Sequence, residues 1–245
     1  MRFVDIHSHV LPSGDDGVAS IEEGLALLAT AAERGTGVVY ATPHVWPSLA
    51  LSDAREAAVR SAHARMAPPA AELGVRLELG FEVTPAPARL AEDPWRYRLG
   101  AIDAVLIDAP FRCEIELTMA YAEYVEASGL VPIIAHPERS EALAHSPAIA
   151  EELDRRGWLI QVNSSSLLGC HGVEVCTRAW SFLGAGHADF VASDGHRKSR
   201  PLVLADAHAE ARARLGEGAD RLFDGSALAS IATRLPRSRA ATRDA

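Results

Sequence analysis

The sequence is short of sulfur, of lysine and of long apolar runs. Its three cysteines, Cys113, Cys170 and Cys176, form no CxxC pair and are odd in number. That excludes a disulfide framework and points to a reducing compartment, the cytoplasm. No stretch of about 18 apolar residues exists, so no membrane span is expected. The start, MRFVDIHSHV, has no apolar leader segment and enters a strand at once. Aromatics make up only 6% and the formal net charge is −9. A general nucleic-acid surface is therefore not expected, although bound cations can still give an acidic protein a local anion site.

What the sequence does contain is alternation. Short apolar runs at Arg2–Ile6, Val38–Ala41, Val75–Leu79, Ala104–Ile107, Val131–Ala135, Leu159–Val162 and Phe190–Ala192 read as strands. Helical segments fall between and after them, near 20–34, 52–73, 114–128, 147–156, 173–185 and 201–215. Ser20 with Glu23 makes a capping box for the first, and Gly35 stops it. Seven strand–helix units with no break predict one domain with a parallel sheet closed into a barrel, residues 1–234. A doubly wound open sheet is the alternative. Residues 235–245 read as a disordered tail.

The chemistry is positional. Each apolar run leads into polar residues: His7, His9, Asp15 and Asp16 after the first, His44 after the second, Glu82 after the third and Asp108 after the fourth. His136 and Arg139 follow the fifth, Asn163 the sixth, Asp194 and His196 the seventh. Barrels and open α/β sheets build their sites at this strand edge. In His7-Ser8-His9 the two imidazoles, at i and i+2, share a face and can reach one cation. Mixed imidazole and carboxylate ligands suit manganese, zinc or iron. Taken singly these residues have plain structural readings. Asp15 and Asp16 are turn residues, Asp108 a cap, Arg139 a partner for a surface carboxylate such as Glu138 or Glu141, and Asn163 a loop anchor. His63 and His208 in helices and His145, His171 and His187 in loops are left structural. The specificity lies in the constellation.

With DIHSHVLPSGDDG, ATPH, GFE, LIDAPF, AHPER and SDGHRKSRP in this order, the sequence resembles the PHP-superfamily (CpsB/YwqE-like) protein-tyrosine phosphatases of bacterial capsule and exopolysaccharide systems. The resemblance implies an α/β fold, a single-domain distorted TIM-like (β/α)7 barrel. It further implies phosphotyrosine hydrolysis by hydroxide held at three divalent metal ions, manganese above iron, zinc or magnesium. The expected substrate is a phosphotyrosine protein, a bacterial tyrosine kinase. His7, His9, Glu82 and Asp194 would hold one ion, Glu82, Asp108 and His136 a second, and Asp16, His44 and His196 a third. Arg139 and Arg200 would bind phosphate, and His44 is a further candidate as proton donor. Two departures stand out: Asp108 where the family usually has Glu, and Arg112 where it has Asn.

Rival chemistries are narrowed by absences. A thiolate phosphatase needs an arginine six residues after its cysteine, and those positions hold Met119, Cys176 and Phe182. Amidohydrolases commonly bridge their metals with a lysine at a strand end, but the only lysine, Lys198, lies beyond the last ligand. A histidinol-phosphate or other small-molecule phosphatase of the same superfamily is the alternative. A nucleic-acid exonuclease and a metal-binding scaffold without activity are further from the pattern.

Overall fold

The computed structural model describes residues 1–111, 115–141 and 147–234. Arg112, Cys113, His145 and the expected tail 235–245 lie outside them. All strands pair in parallel. β1 (Phe3–Ser8), β2 (Thr36–Ala41) and β4 (Arg76–Leu79) form one sheet, in that order. The other runs β3 (His44–Val45), β5 (Glu82–Val83), β6 (Ala104–Asp108), β7 (Val131–Ala135), β8 (Leu159–Asn163) and β9 (Phe190–Ala192). β2 pairs β4 and β3 pairs β5, so the breaks at Thr42-Pro43 and Gly80-Phe81 lie side by side in what are two interrupted strands. Counted that way the strands among the described residues number seven. β9 returns to β1: the Asp194 amide donates to His7 O (2.9 Å), and the His9 amide donates to Gly195 O (2.7 Å). This closes the barrel.

Every residue of β6, β7 and β8 is buried, the continuous apolar reading of a parallel sheet covered on both faces. Alternation sends neighbours into two cores. Leu106, Ile133 and Leu159 fill the barrel with Ile6, Tyr40 and Phe190, while Ile107, Ile134 and Ile160 pack outward among the helices. Those helices are α1 (Ile21–Glu33), α2 (Asp53–Glu72), α3 (Ile115–Ala127), α4 (Pro147–Arg156), α5 (Ser164–Leu167), α6 (Val173–Gly184), α7 (Leu204–Leu215) and α8 (Ser226–Arg234). The expected capping box holds α1: Ser20 Oγ accepts from the Glu23 amide at 3.2 Å, and Glu23 reaches back to the Ala19 amide at 2.8 Å. The short α5 and the last helix α8 are additions to the sequence reading. No described helix is long and apolar enough to cross a membrane.

Candidate metal and phosphate site

The expected ligands converge at one mouth of the barrel. β1 runs farther than its apolar stretch, to Ser8, so His7 lies within the strand and His9 just beyond it. The two Nε2 atoms are 3.2 Å apart. The two-residue strands β3 and β5 each begin on a candidate ligand, His44 and Glu82, which are register partners. Asp108 ends β6. His136 and Asp194 follow β7 and β9 in left-handed backbone, φ 37° and 50°, and are the only non-glycine residues with positive φ among those described. Such strain persists where surrounding structure enforces it and gathers at functional sites.

Three groups of ligand atoms lie within 4.8 Å of one another: His7, His9 and Asp194; His7, Glu82 and His136; His9, His44 and His196. The sharing differs from the grouping that the resemblance implied. His7 and His9 each serve two groups, and Glu82 Oε2 stands 3.2 and 3.3 Å from their Nε2 atoms. Asp16 flanks the third group from a half-exposed position, its Oδ1 3.4 Å from His44 Nε2 and 3.3 Å from His196 Nε2. Asp108 stands back. Its Oδ1 is 3.9 Å from His136 Nε2, and its Oδ2 accepts a hydrogen bond from Thr84 Oγ1 at 2.7 Å. A side chain one methylene shorter than Glu accounts for the gap.

The donor set fits divalent cations. Glu82 Oε2, His44 Nδ1 and His196 Nε2 are buried and make no well-aligned hydrogen bond, although Glu82 Oε2 and His44 Nδ1 are 2.7 Å apart and His196 Nε2 is 3.3 Å from Asp16 Oδ1. Leaving such atoms unsatisfied is costly, and a cation among them would remove the cost. Electrostatics agree. Burial opposes ionisation of Glu82 and Asp194, yet the surrounding imidazoles hold both carboxyls well below the usual range. Burial also opposes a charge on His9, but Asp15, Asp194 and Glu82 raise its pKa well above the ordinary value. Burial lowers His196, against Asp16.

Residues outside the expected ligand set support the cluster. The side chain of Asp15 is buried; it accepts from the amides of Gly17 (3.0 Å) and His44 (3.0 Å), and its Oδ2 is 3.6 Å from His9 Nδ1. Arg55 of α2 donates to three carbonyls, Ser13 O, Leu49 O and His44 O, and so ties both ligand loops to one helix. Trp46 stacks on His44 at 4.4 Å. Glu138 is no surface partner for Arg139. It is buried and accepts from the Asn163 amide (3.0 Å) and Ser166 Oγ (2.7 Å). Arg139 donates instead to Asp194 Oδ2 at 2.8 Å, and Arg200 joins it there at 3.0 Å. Both arginines line a cavity of about 250 Å³ with Asp16, His44, His136 and His196. Its one apolar wall is Ala109, Pro110 and a half-exposed Phe111.

A family model described as capsular polysaccharide synthesis, CpsB/CapC, matches residues 3–227. The chain belongs to the CpsB/CapC family. Among relatives, CapC of Staphylococcus aureus is 30% identical over 205 residues, covering 82% of this chain and 80% of that one. Tyrosine-protein phosphatase YwqE of Bacillus subtilis is 28% identical over 208 residues, 79% of this chain and 77% of its own. A solved structure from work on YwqE and on CpsB of Streptococcus pneumoniae, described as metal-dependent tyrosine phosphatases, superposes with a TM-score of 0.79 at 24% identity over 94% of this chain and 91% of that one. An organophosphorus hydrolase variant from Deinococcus radiodurans superposes at 0.53 with 15% identity, covering 94% of this chain and 97% of that one. The last two likenesses establish the fold of this CpsB/CapC member.

Proposed function

We propose that this chain is a metal-dependent protein-tyrosine phosphatase that acts, in the cytoplasm, on the phosphotyrosines of a capsule or exopolysaccharide kinase, with residues 1–234 as its catalytic domain. The observation that carries the reading is a cavity lined by three buried histidines, His44, His136 and His196, with Asp194 and two arginines, against which buried His7, His9 and Glu82 cluster. The family membership and the named activity of the YwqE and CpsB relatives support it.

His7, His9, Asp16, His44, Glu82, Asp108, His136, Asp194 and His196 would hold the cations, of which manganese is favoured by an N/O ligand set without thiolate. When bound, such ions offset the charge of a phosphate ester and bring the pKa of a coordinated water to about 7. The chain's own contribution is orientation. Arg139 and Arg200 present guanidinium donors at the cavity wall, where charge-assisted hydrogen bonds to the non-bridging phosphate oxygens would fix the ester and steady its transition state. Both His44 nitrogens face carboxylates, Glu82 at 2.7 Å and Asp16 at 3.4 Å, so His44 is assigned to the ligands before proton donation.

The apolar wall of Ala109, Pro110 and Phe111 offers an aromatic leaving group a face to pack against. The deciding assay compares a phosphotyrosine peptide with histidinol phosphate on Mn²⁺-loaded protein, with and without EDTA. Peptide hydrolysis with the higher kcat/KM, abolished by EDTA, is expected. A preference for histidinol phosphate, or EDTA-resistant turnover, would overturn the reading.

A further inference from the structure

Two amides outside the ligand set run beneath it. Gln161 and Asn163 point the same way from β8, two residues apart, and both are fully buried. Asn163 Nδ2 is 2.7 Å from Asp194 Oδ2, Gln161 Nε2 is 2.8 Å from Asn163 Oδ1, and Gln161 Oε1 is 2.9 Å from His7 Nδ1.

The direction of this chain is forced. Asp194 Oδ2 already accepts from Arg139 and Arg200, so it is an acceptor toward Asn163 as well. Asn163 must therefore turn its NH₂ to Asp194 and its oxygen to Gln161. Gln161 must then give that oxygen its own NH₂, which leaves Oε1 facing His7. A carbonyl oxygen only accepts, so His7 Nδ1 carries a proton, and in the neutral ring, the form that can bind a cation, the lone pair is on Nε2. Nε2 is the atom that faces the cluster, 3.2 Å from Glu82 Oε2 and 3.6 Å from Asp194 Oδ1. An unconstrained neutral histidine in water favours the opposite arrangement, with its proton on Nε2. What the second nitrogen bonds to decides which one is free for a metal.

We propose that Gln161 and Asn163 are positioning residues, a one-way hydrogen-bond chain from the Asp194 carboxylate to His7 that keeps the His7 Nε2 lone pair aimed at a divalent cation. Two ligands from the first and last strands are thereby held in register by a side-chain wire through β8. This rests on the reading of the cluster as a metal site.

The test has two readouts. In metal-free, ¹⁵N-histidine-labelled protein, long-range ¹H–¹⁵N correlation reports the tautomer of His7, assigned by its disappearance in His7→Gln. The expected state is the proton on Nδ1 in the wild type and in Gln161→Glu, which keeps an acceptor facing His7. In Gln161→Met, which has none, the proton should move to Nε2. Zn²⁺ affinity, measured by competition with a chelating dye, should fall roughly ten- to a hundred-fold in Gln161→Met. In Gln161→Glu it should stay within several-fold of the wild type. A wild-type His7 without a proton on Nδ1 overturns the proposal and needs no variant that might not fold. So does a folded Gln161→Met that binds Zn²⁺ as the wild type does. If wild-type protein bound no Zn²⁺ while the tautomer came out as expected, the metal reading would fail and the hydrogen-bond chain would stand.

Discussion

Arg139 has two readings that one substitution separates. Its guanidinium reaches Asp194 and the cavity, while Glu138, its neighbour in sequence, is turned into the core. Arg139→Lys cannot fork two phosphate oxygens, and kcat/KM on para-nitrophenyl phosphate and on a phosphotyrosine peptide should drop roughly ten- to a thousand-fold, about 1.4–4 kcal/mol. A loss on the peptide alone would move Arg139 to the rim of the peptide site, and no loss on either substrate would remove it from catalysis. Asp5 offers a pH test. Burial, against amides of Ser193 and His7, raises its carboxyl from an ordinary 3.8 to about 6. A raised acid favours the folded state while protonated, so its share of stability is full below about pH 4 and is lost as pH rises through about 6. In EDTA-treated protein, Asp5→Asn should thus gain in Tm relative to wild type across pH 4–7, and a gap that stays flat or narrows would refute the assignment. The candidate cluster was legible because histidines and carboxylates after apolar runs have few other reasons to recur. Gln161 was not, nor were the partners of Asn163 and Asp15, because a polar residue in a strand or a DDG turn says nothing of what it meets across the barrel.

At the scale of elements, the ligand loops are shaped by what grips them. Arg55 satisfies carbonyls on both sides of the site from a position one turn into α2, a helix with Pro68 and Pro69 inside it. Arg55→Lys keeps the charge but loses the fork, and Mn²⁺ content after gel filtration should fall while far-UV circular dichroism is unchanged. Retention of full metal would show that the loops hold themselves. Gly17 works by absence of bulk: a Cβ there would lie 2.6 Å from His9 O and 2.8 Å from His9 Cβ. Gly17→Ala should therefore displace His9 and lower stability by about 1–3 kcal/mol, read as a fall in Tm. The seven strand units were visible as apolar runs. Two residues carry no periodicity, so the short strands at His44 and Glu82 were hidden behind Pro43 and Gly80, which read as ends. The last helix was missed because Ser226–Arg234 follows no strand.

For the whole molecule, a net charge of −9 surrounds a pocket that must receive an anion. Without cations the cluster holds protons where ligands need lone pairs, His9 above all. Metal binding should release protons, and calorimetry of Mn²⁺ addition in buffers of different ionisation enthalpy should show it; equal heats in all buffers would count against the ligand set. EDTA should both abolish activity and lower Tm, whereas replacing Cys113, Cys170 and Cys176 together by serine should do neither. Single-domain closure was legible from the rhythm of seven units, but the junction of β9 with β1 was not, since no local pattern joins residue 7 to residue 194.

That junction also sets when the protein can begin to work. The site draws on positions from His7 to Arg200, and the strands that seal it are the first and the last. Chain closure over such a span comes late in folding. During synthesis the early histidines must wait, unmatched, until almost the whole barrel has left the ribosome. Any product cut short before Asp194 would lack both the carboxylate and the backbone seam, and would be a hydrolase without a place to gather its metals.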